Sequence, residues 1–108
     1  MSDGRVERGA DGEIRLSGVL DYQSGPALRR QGQALIRQAK GTRVLVDCSE
    51  VERSSSVGLS LLLAFTRDVQ KQGDELVITG LPADMRDLAQ VSGLLDVLSL
   101  ADETEGAV

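Results

Sequence analysis

The 108-residue chain contains no histidine, no tryptophan and a single cysteine. Without imidazole there is no Ser-His-Asp or Cys-His nucleophile, no histidine general base and no histidine metal ligand. A lone thiol, Cys48, can close no internal disulfide and belongs to no metal-ligand cluster, so no metal or cofactor is expected and a reducing cytoplasm fits best. The aromatic residues are Tyr22 and Phe65 alone, and acids outnumber bases 17 to 12, for a net charge of −5. A free nucleic-acid binder needs a basic footprint and stacking rings, so no nucleic-acid partner is expected. No apolar run approaches the ~20 residues that span a bilayer. The opening Met1-Ser2-Asp3-Gly4-Arg5-Val6-Glu7 lacks the apolar stretch of a secretory leader. The expectation is a cytoplasmic protein without direct membrane insertion.

What is present describes an ordinary globular domain. A hydrophobic fraction of 41% suits a packed core, and this length suits one domain. Asp102, Glu103 and Glu105 lie in the last eight residues without a compensating base, which leaves the first hundred residues at −2. The chain therefore reads as a single domain over residues 1–100 followed by a flexible acidic tail, 101–108.

Arg5-Val6-Glu7-Arg8 and Glu13-Ile14-Arg15-Leu16-Ser17 alternate in polarity around a glycine-bearing turn and predict a β-hairpin. Ser24-Gly25-Pro26 opens a helix, with Ser24 as N-cap and proline in the first turn. Leu28, Gly32, Leu35, Ile36 and Ala39 mark its buried face, and Lys40-Gly41 close it. Arg43-Val44-Leu45-Val46-Asp47 reads as a central strand covered on both faces and ending at Asp47. A second helix runs from the serine cluster to Gly73, its first half apolar almost all round, so that one or two of its leucines are expected at a partner surface. Glu75–Thr79 follows as a strand, Pro82 begins a third helix, and Leu94–Leu100 reads as an edge strand. The order ββαβαβα(β) predicts an α/β fold with right-handed crossovers: a mixed sheet of four to five strands and three to four helices packed mainly on one face.

The informative stretch lies between the central strand and the second helix. Asp47-Cys48-Ser49 is followed by the apolar Val51, and Ser55-Ser56-Val57-Gly58-Leu59 leads into a leucine-rich helix. This resembles the STAS domain, the sulfate-transporter and anti-sigma-factor-antagonist module. Its hallmark is a strand ending D-x-S, an apolar anchor, then D-[ST]-[SG]-G-hydrophobic at the start of the second helix. Gly18-Val19-Leu20-Asp21 is similar to the family's G-x-L-D, and Ser92-Gly93-Leu94-Leu95 to its ending. The resemblance covers roughly residues 5–100. It implies that Ser56 occupies the place of the family's phosphorylatable or otherwise essential Ser/Thr. The sequence departs from the pattern where Ser55 replaces the family's Asp and Val57 its small residue. That Asp is part of what a partner kinase reads in the phospho-switched antagonists.

The resemblance implies a protein that works by binding and not by catalysis. Two branches suit a stand-alone domain. One is the cytoplasmic STAS subunit that binds the ATPase (nucleotide-binding) subunit of an Mla-type ABC system for phospholipid transport; Gly58-Leu59-Ser60-Leu61-Leu62-Leu63 favours it. The other is the anti-sigma-factor antagonist, switched by a kinase-type anti-sigma factor. Ser56 is then the centre of the contact surface. Ser54, Ser55, Val57, Gly58 and Leu59 lie beside it, Asp21, Asp47 and Ser49 at its margin, and Gly58 would admit a close partner approach. Each residue also has a plainer reading. A serine before a helix is a good N-cap, and an Asp at a strand end often caps a turn. No nucleophile-elbow G-x-S-x-G, phosphate loop or carboxylate pair is present to suggest an enzyme.

Overall fold

In a computed structural model that describes residues 3–41 and 43–98, the alternating segments near the start form strands β1 (Arg5–Arg8) and β2 (Ile14–Leu20). They pair antiparallel from Arg5↔Ser17 to Arg8↔Ile14. The turn between them includes Gly12 at φ 83°, a conformation cheap only for glycine. Helix α1 (Gly25–Gln38), strand β3 (Val44–Ser54), helix α2 (Ser56–Lys71), strand β4 (Leu76–Thr79) and helix α3 (Ala83–Val91) follow. The sheet order is β1-β2-β3-β4, with β3 parallel to both β2 and β4. The result is a mixed four-stranded sheet with three helices, the α/β fold expected from the alternation of elements.

One face of the sheet carries the core. Ile14, Leu16 and Leu20 of β2 and Val44, Val46, Cys48 and Val51 of β3 are buried with Leu59, Leu62, Phe65 and Val69 of α2. Their neighbours in sequence point the other way. Leu45 is 38% exposed, which corrects the expectation of a strand covered on both faces. On that open side Leu45 sits in register with Val77. An unbroken apolar run thus concealed a two-sided strand, because Leu45 is apolar where alternation predicts a polar residue.

A second correction concerns where β3 ends. The strand does not stop at Asp47 but continues to Ser54. Its inward residues are Val44, Val46 and Cys48, then Val51 and half-buried Ser54. The spacing of two widens to three on passing Cys48 and again on passing Val51. The register with β2 slips at both places, as expected for β-bulges, which insert one residue and bend the strand. At the first, the Asp47 carboxylate accepts a hydrogen bond from the Ser49 amide at 2.9 Å. Gly80, at φ 66°, lies against it, and a Cβ there would come within 2.9 Å of the Ser49 backbone.

Helices α1 and α2 run in the same direction across the covered face. A Cβ at Gly25 would meet Val57 Cγ1 at 2.9 Å, and one at Gly32 would overlap the Phe65 ring. These two glycines let the helices approach closely. An Arg29–Asp68 ion pair and a 3.0 Å hydrogen bond from the Gln72 side-chain amide to the Ile36 carbonyl tie the pair together further along. The leucines of α2 are buried or half-buried against the core, so the expected exposure of one or two of them is not found.

Leu94–Leu98 is not the predicted edge strand. It forms successive turns, with Leu94 N–H bonded to the Ala89 carbonyl at 2.8 Å and Leu98 N–H to the Leu94 carbonyl at 3.1 Å. Ser92-Gly93 ends α3, and Gly93 adopts φ 72°, so the chain folds back on the helix instead of leaving extended. Ser99 and Leu100, the end of that predicted strand, and the acidic tail 101–108 lie outside the described residues.

Candidate functional site

Ser55 is the N-cap of α2. Its extended backbone (φ −86°, ψ −174°) places the hydroxyl to accept from the Val57 amide at 3.2 Å, the standard satisfaction of an orphan donor in the first turn. Its own N–H donates to the Leu20 carbonyl at 3.0 Å, pinning the end of β3 to the end of β2. The N-cap reading of the serine cluster thus applies to Ser55. Ser54 turns back, its hydroxyl donating to the Ser55 carbonyl at 2.7 Å.

Ser56 is thereby left as the first helical residue, exposed, with no acidic residue in that first turn. Its surroundings combine the positive end of a helix dipole with an outward hydroxyl. That arrangement favours a partner's carboxylate or a phosphoryl oxyanion. Nothing in the sequence supplies the imidazole that would activate the hydroxyl as a nucleophile.

The structure separates the other candidates. Val57 is half-buried beside Ser56, but Gly58 and Leu59 are buried and belong to the core side of the helix. A Cβ on Gly58 would overlap the Ser54 hydroxyl and reach Met85 Cε at 2.9 Å. Internal packing accounts for this glycine, not partner access. Asp47 and Ser49 also fall away from the site. Asp47 is in register with Arg15 while Ser54 is in register with Leu20, which puts roughly 17 Å of strand between them. Asp21 follows the Leu20 that Ser55 holds, so it does lie near. Its carboxylate accepts from the amides of Gln23 and Ser24, both at 3.0 Å, making an Asx turn into α1. Ser24 stands at the N-cap of α1 without a side-chain cap bond to the helix; its hydroxyl accepts from the Asp21 amide at 3.1 Å.

Beside Val57, residues the sequence did not single out as site residues complete the surface. An open groove of about 350 Å³ lies between the starts of the two parallel helices, lined by Tyr22, Pro26 and Arg29 on one side and Val57, Ser60 and Ala64 on the other. Tyr22 is 77% exposed. Ser56, Ser60 and Ala64 recur every fourth residue, so they form one row of small side chains along α2. That spacing, and one of only two aromatic residues just after β2, were the available signals. Cys48 takes no part. Burial, with the Asp47 charge adding to it, pushes its thiol up to about 12, so it stays protonated and inert.

A one-sided mixed sheet delivering an exposed serine to the N-terminus of its second helix defines the class of the chain, a small α/β domain. The chain belongs to the STAS domain family, whose model described as "Mlab, STAS domain" matches residues 4–100. The anti-sigma-B factor antagonist of Bacillus subtilis is 28% identical over 98 residues, covering 91% of this chain and 88% of that one. Among solved structures, a chain of the Acinetobacter MlaFEDB complex in an ATP-bound conformation superposes with a TM-score of 0.79 at 21% identity, over 90% of this chain and 99% of that one. An anti-sigma factor antagonist from Mycobacterium paratuberculosis superposes at 0.73 and 24% identity, over 98% and 92%.

Proposed function

We propose that this chain is the non-catalytic STAS subunit that binds the ATPase subunit of an ABC-type phospholipid transporter of the Mla kind. In that role it supports the transporter's assembly and activity, and so the lipid asymmetry of the outer membrane. It would be cytoplasmic and reach the inner membrane only through its partner; no helix among the described residues is long and apolar enough to cross a membrane.

The observation that carries this reading is the make-up of the docking end. Ser55, not an acid, caps α2, and the exposed Ser56 directly precedes Val57, which lines a groove of tyrosine, proline and small side chains. Such a surface suits direct packing by a partner and omits the carboxylate that the phospho-switched pattern places beside its serine. The description of the matching family model supports the same branch. The second reading, an anti-sigma-factor antagonist controlled by a kinase-type anti-sigma factor, draws support from the Bacillus subtilis relative and from the exposed Ser56 hydroxyl.

Affinity purification of the tagged chain from its native cell, with mass spectrometry of its companions, separates the two. Recovery of an ABC ATPase with its permease supports the transporter role, and recovery of a kinase-type anti-sigma factor, with one phosphoryl group added to Ser56, overturns it. Ser56→Arg is expected to weaken binding to the purified ATPase at least tenfold by calorimetry while the fold is kept. Unchanged affinity would remove Ser56 from the interface.

A further inference from the structure

The seam between α1 and α2 has a second opening at its far end. A cleft of about 410 Å³ is lined by Gln33, Arg37, Lys40, Asp68, Lys71 and Gln72, with Ile36 at its floor. Its charge is lopsided. Asp68 is engaged by Arg29, and nearby Asp74 accepts from the Gly41 amide at 2.9 Å and the Gln72 side chain at 3.0 Å. Arg37, Lys40 and Lys71 are exposed, and none of them forms an ion pair among the described residues. A cation in the last turn of each helix complements its dipole, which accounts for Arg37 and Lys71 singly. It does not account for three cations converging on one cleft in an otherwise acidic chain.

The two openings lie along one seam, with an ion pair between them. Arg29 lines the apolar groove and its partner Asp68 lines the basic cleft. From Val57 to Lys71 the seam runs roughly 21 Å along α2. We infer that one extended segment of the partner docked at Ser56 lies along this seam. An apolar residue would sit against Tyr22 and Pro26, and a cluster of two or three carboxylates would sit among Arg37, Lys40 and Lys71. This rests on the docking reading above and specifies the partner's chemistry: an apolar anchor and an acidic patch about four helical turns apart. Complementary charge of this kind sets on-rate and register as well as affinity, and is screened by salt.

The test uses the full chain and the purified ATPase subunit encoded by the same genome, titrated at 50 and 300 mM salt. R37E/K71E is expected to bind at least tenfold more weakly at low salt and to lose most of the wild-type salt dependence, with its circular dichroism unchanged and its melting temperature lowered by only a few degrees through the lost dipole complement. R37K/K71R, which keeps the charge, is expected to bind as wild type. If the reversed variant binds as tightly as wild type, the cleft is no part of the interface and the inference fails while the docking reading stands. That includes the case in which the acidic tail of this chain occupies the cleft. If wild type itself does not bind the ATPase, both fail.

Discussion

The two halves of β3 do different work. Val44–Cys48 keeps a strict in-out alternation; Val44–Asp47 pairs with β4, and Val46 and Asp47 pair with β2 as well. Ser49–Ser54 pairs with β2 alone, takes up the bulges and hands the chain to α2 beside the candidate site. The first half is built for stability, the second for placement. A site can be delivered by a strand that gives up regularity only once a regular segment has secured the core.

Changes in the two halves should therefore separate stability from binding. The largest loss is expected for Val46→Ala, where a fully buried side chain is truncated: about 2 kcal/mol or more of unfolding free energy in urea, with affinity per folded molecule unchanged. A comparable loss in this half should appear with rising pH. The folded thiol of Cys48 holds its proton to about 12 against an ordinary value near 9. Stability is full below the lower value and falls between the two, on the order of 3 kcal/mol by pH 11. Denaturation at pH 8 and pH 11 checks this, since Cys48→Ala should flatten the difference. In the second half, Ser55→Ala removes the cap and should cost about 1 kcal/mol, while Ser55→Asp, also a good N-cap, should cost only a few tenths. If Ser55→Asp also converts the protein into a kinase substrate at Ser56, the phospho-switch was lost at this one position. Asp47→Ala should cost about 0.5–1 kcal/mol by freeing the Ser49 amide at the bulge. Ser56→Arg should change stability by no more than about 0.5 kcal/mol and act on binding alone.

Periodicity located most of the architecture because most of it is periodic. The hairpin, α1 with its Leu28-Gly32-Ile36 face, and the Pro82 start of the third helix were all legible. The second half of β3 was not, because each bulge resets the alternation on which a strand is recognised. The strand consequently read as ending at Asp47. Leu94–Leu98 misled in the opposite way, being apolar enough for a strand while Gly93 turned it back. At the site, the motif marked Ser55, Ser56 and Val57 but could not tell which side of the helix Gly58 and Leu59 face. Tyr22 and Ser60 enter only through the packing of one helix on another.

The parallel pairing of β2, β3 and β4 also governs how the molecule comes into being. Only the β1–β2 hairpin joins neighbours in sequence. β3 cannot find β2 until α1 has been crossed, nor β4 until α2 has. Pairings this distant along the chain make for slow folding relative to helical proteins of similar size. A nascent chain truncated before residue 76 would hold β3 with its β4 side unfilled, a bare edge of Val44, Leu45 and Val46 open to mispairing. The serine at the head of α2, the centre of the proposed contact surface, is thus translated well before the strand that completes the sheet beneath it.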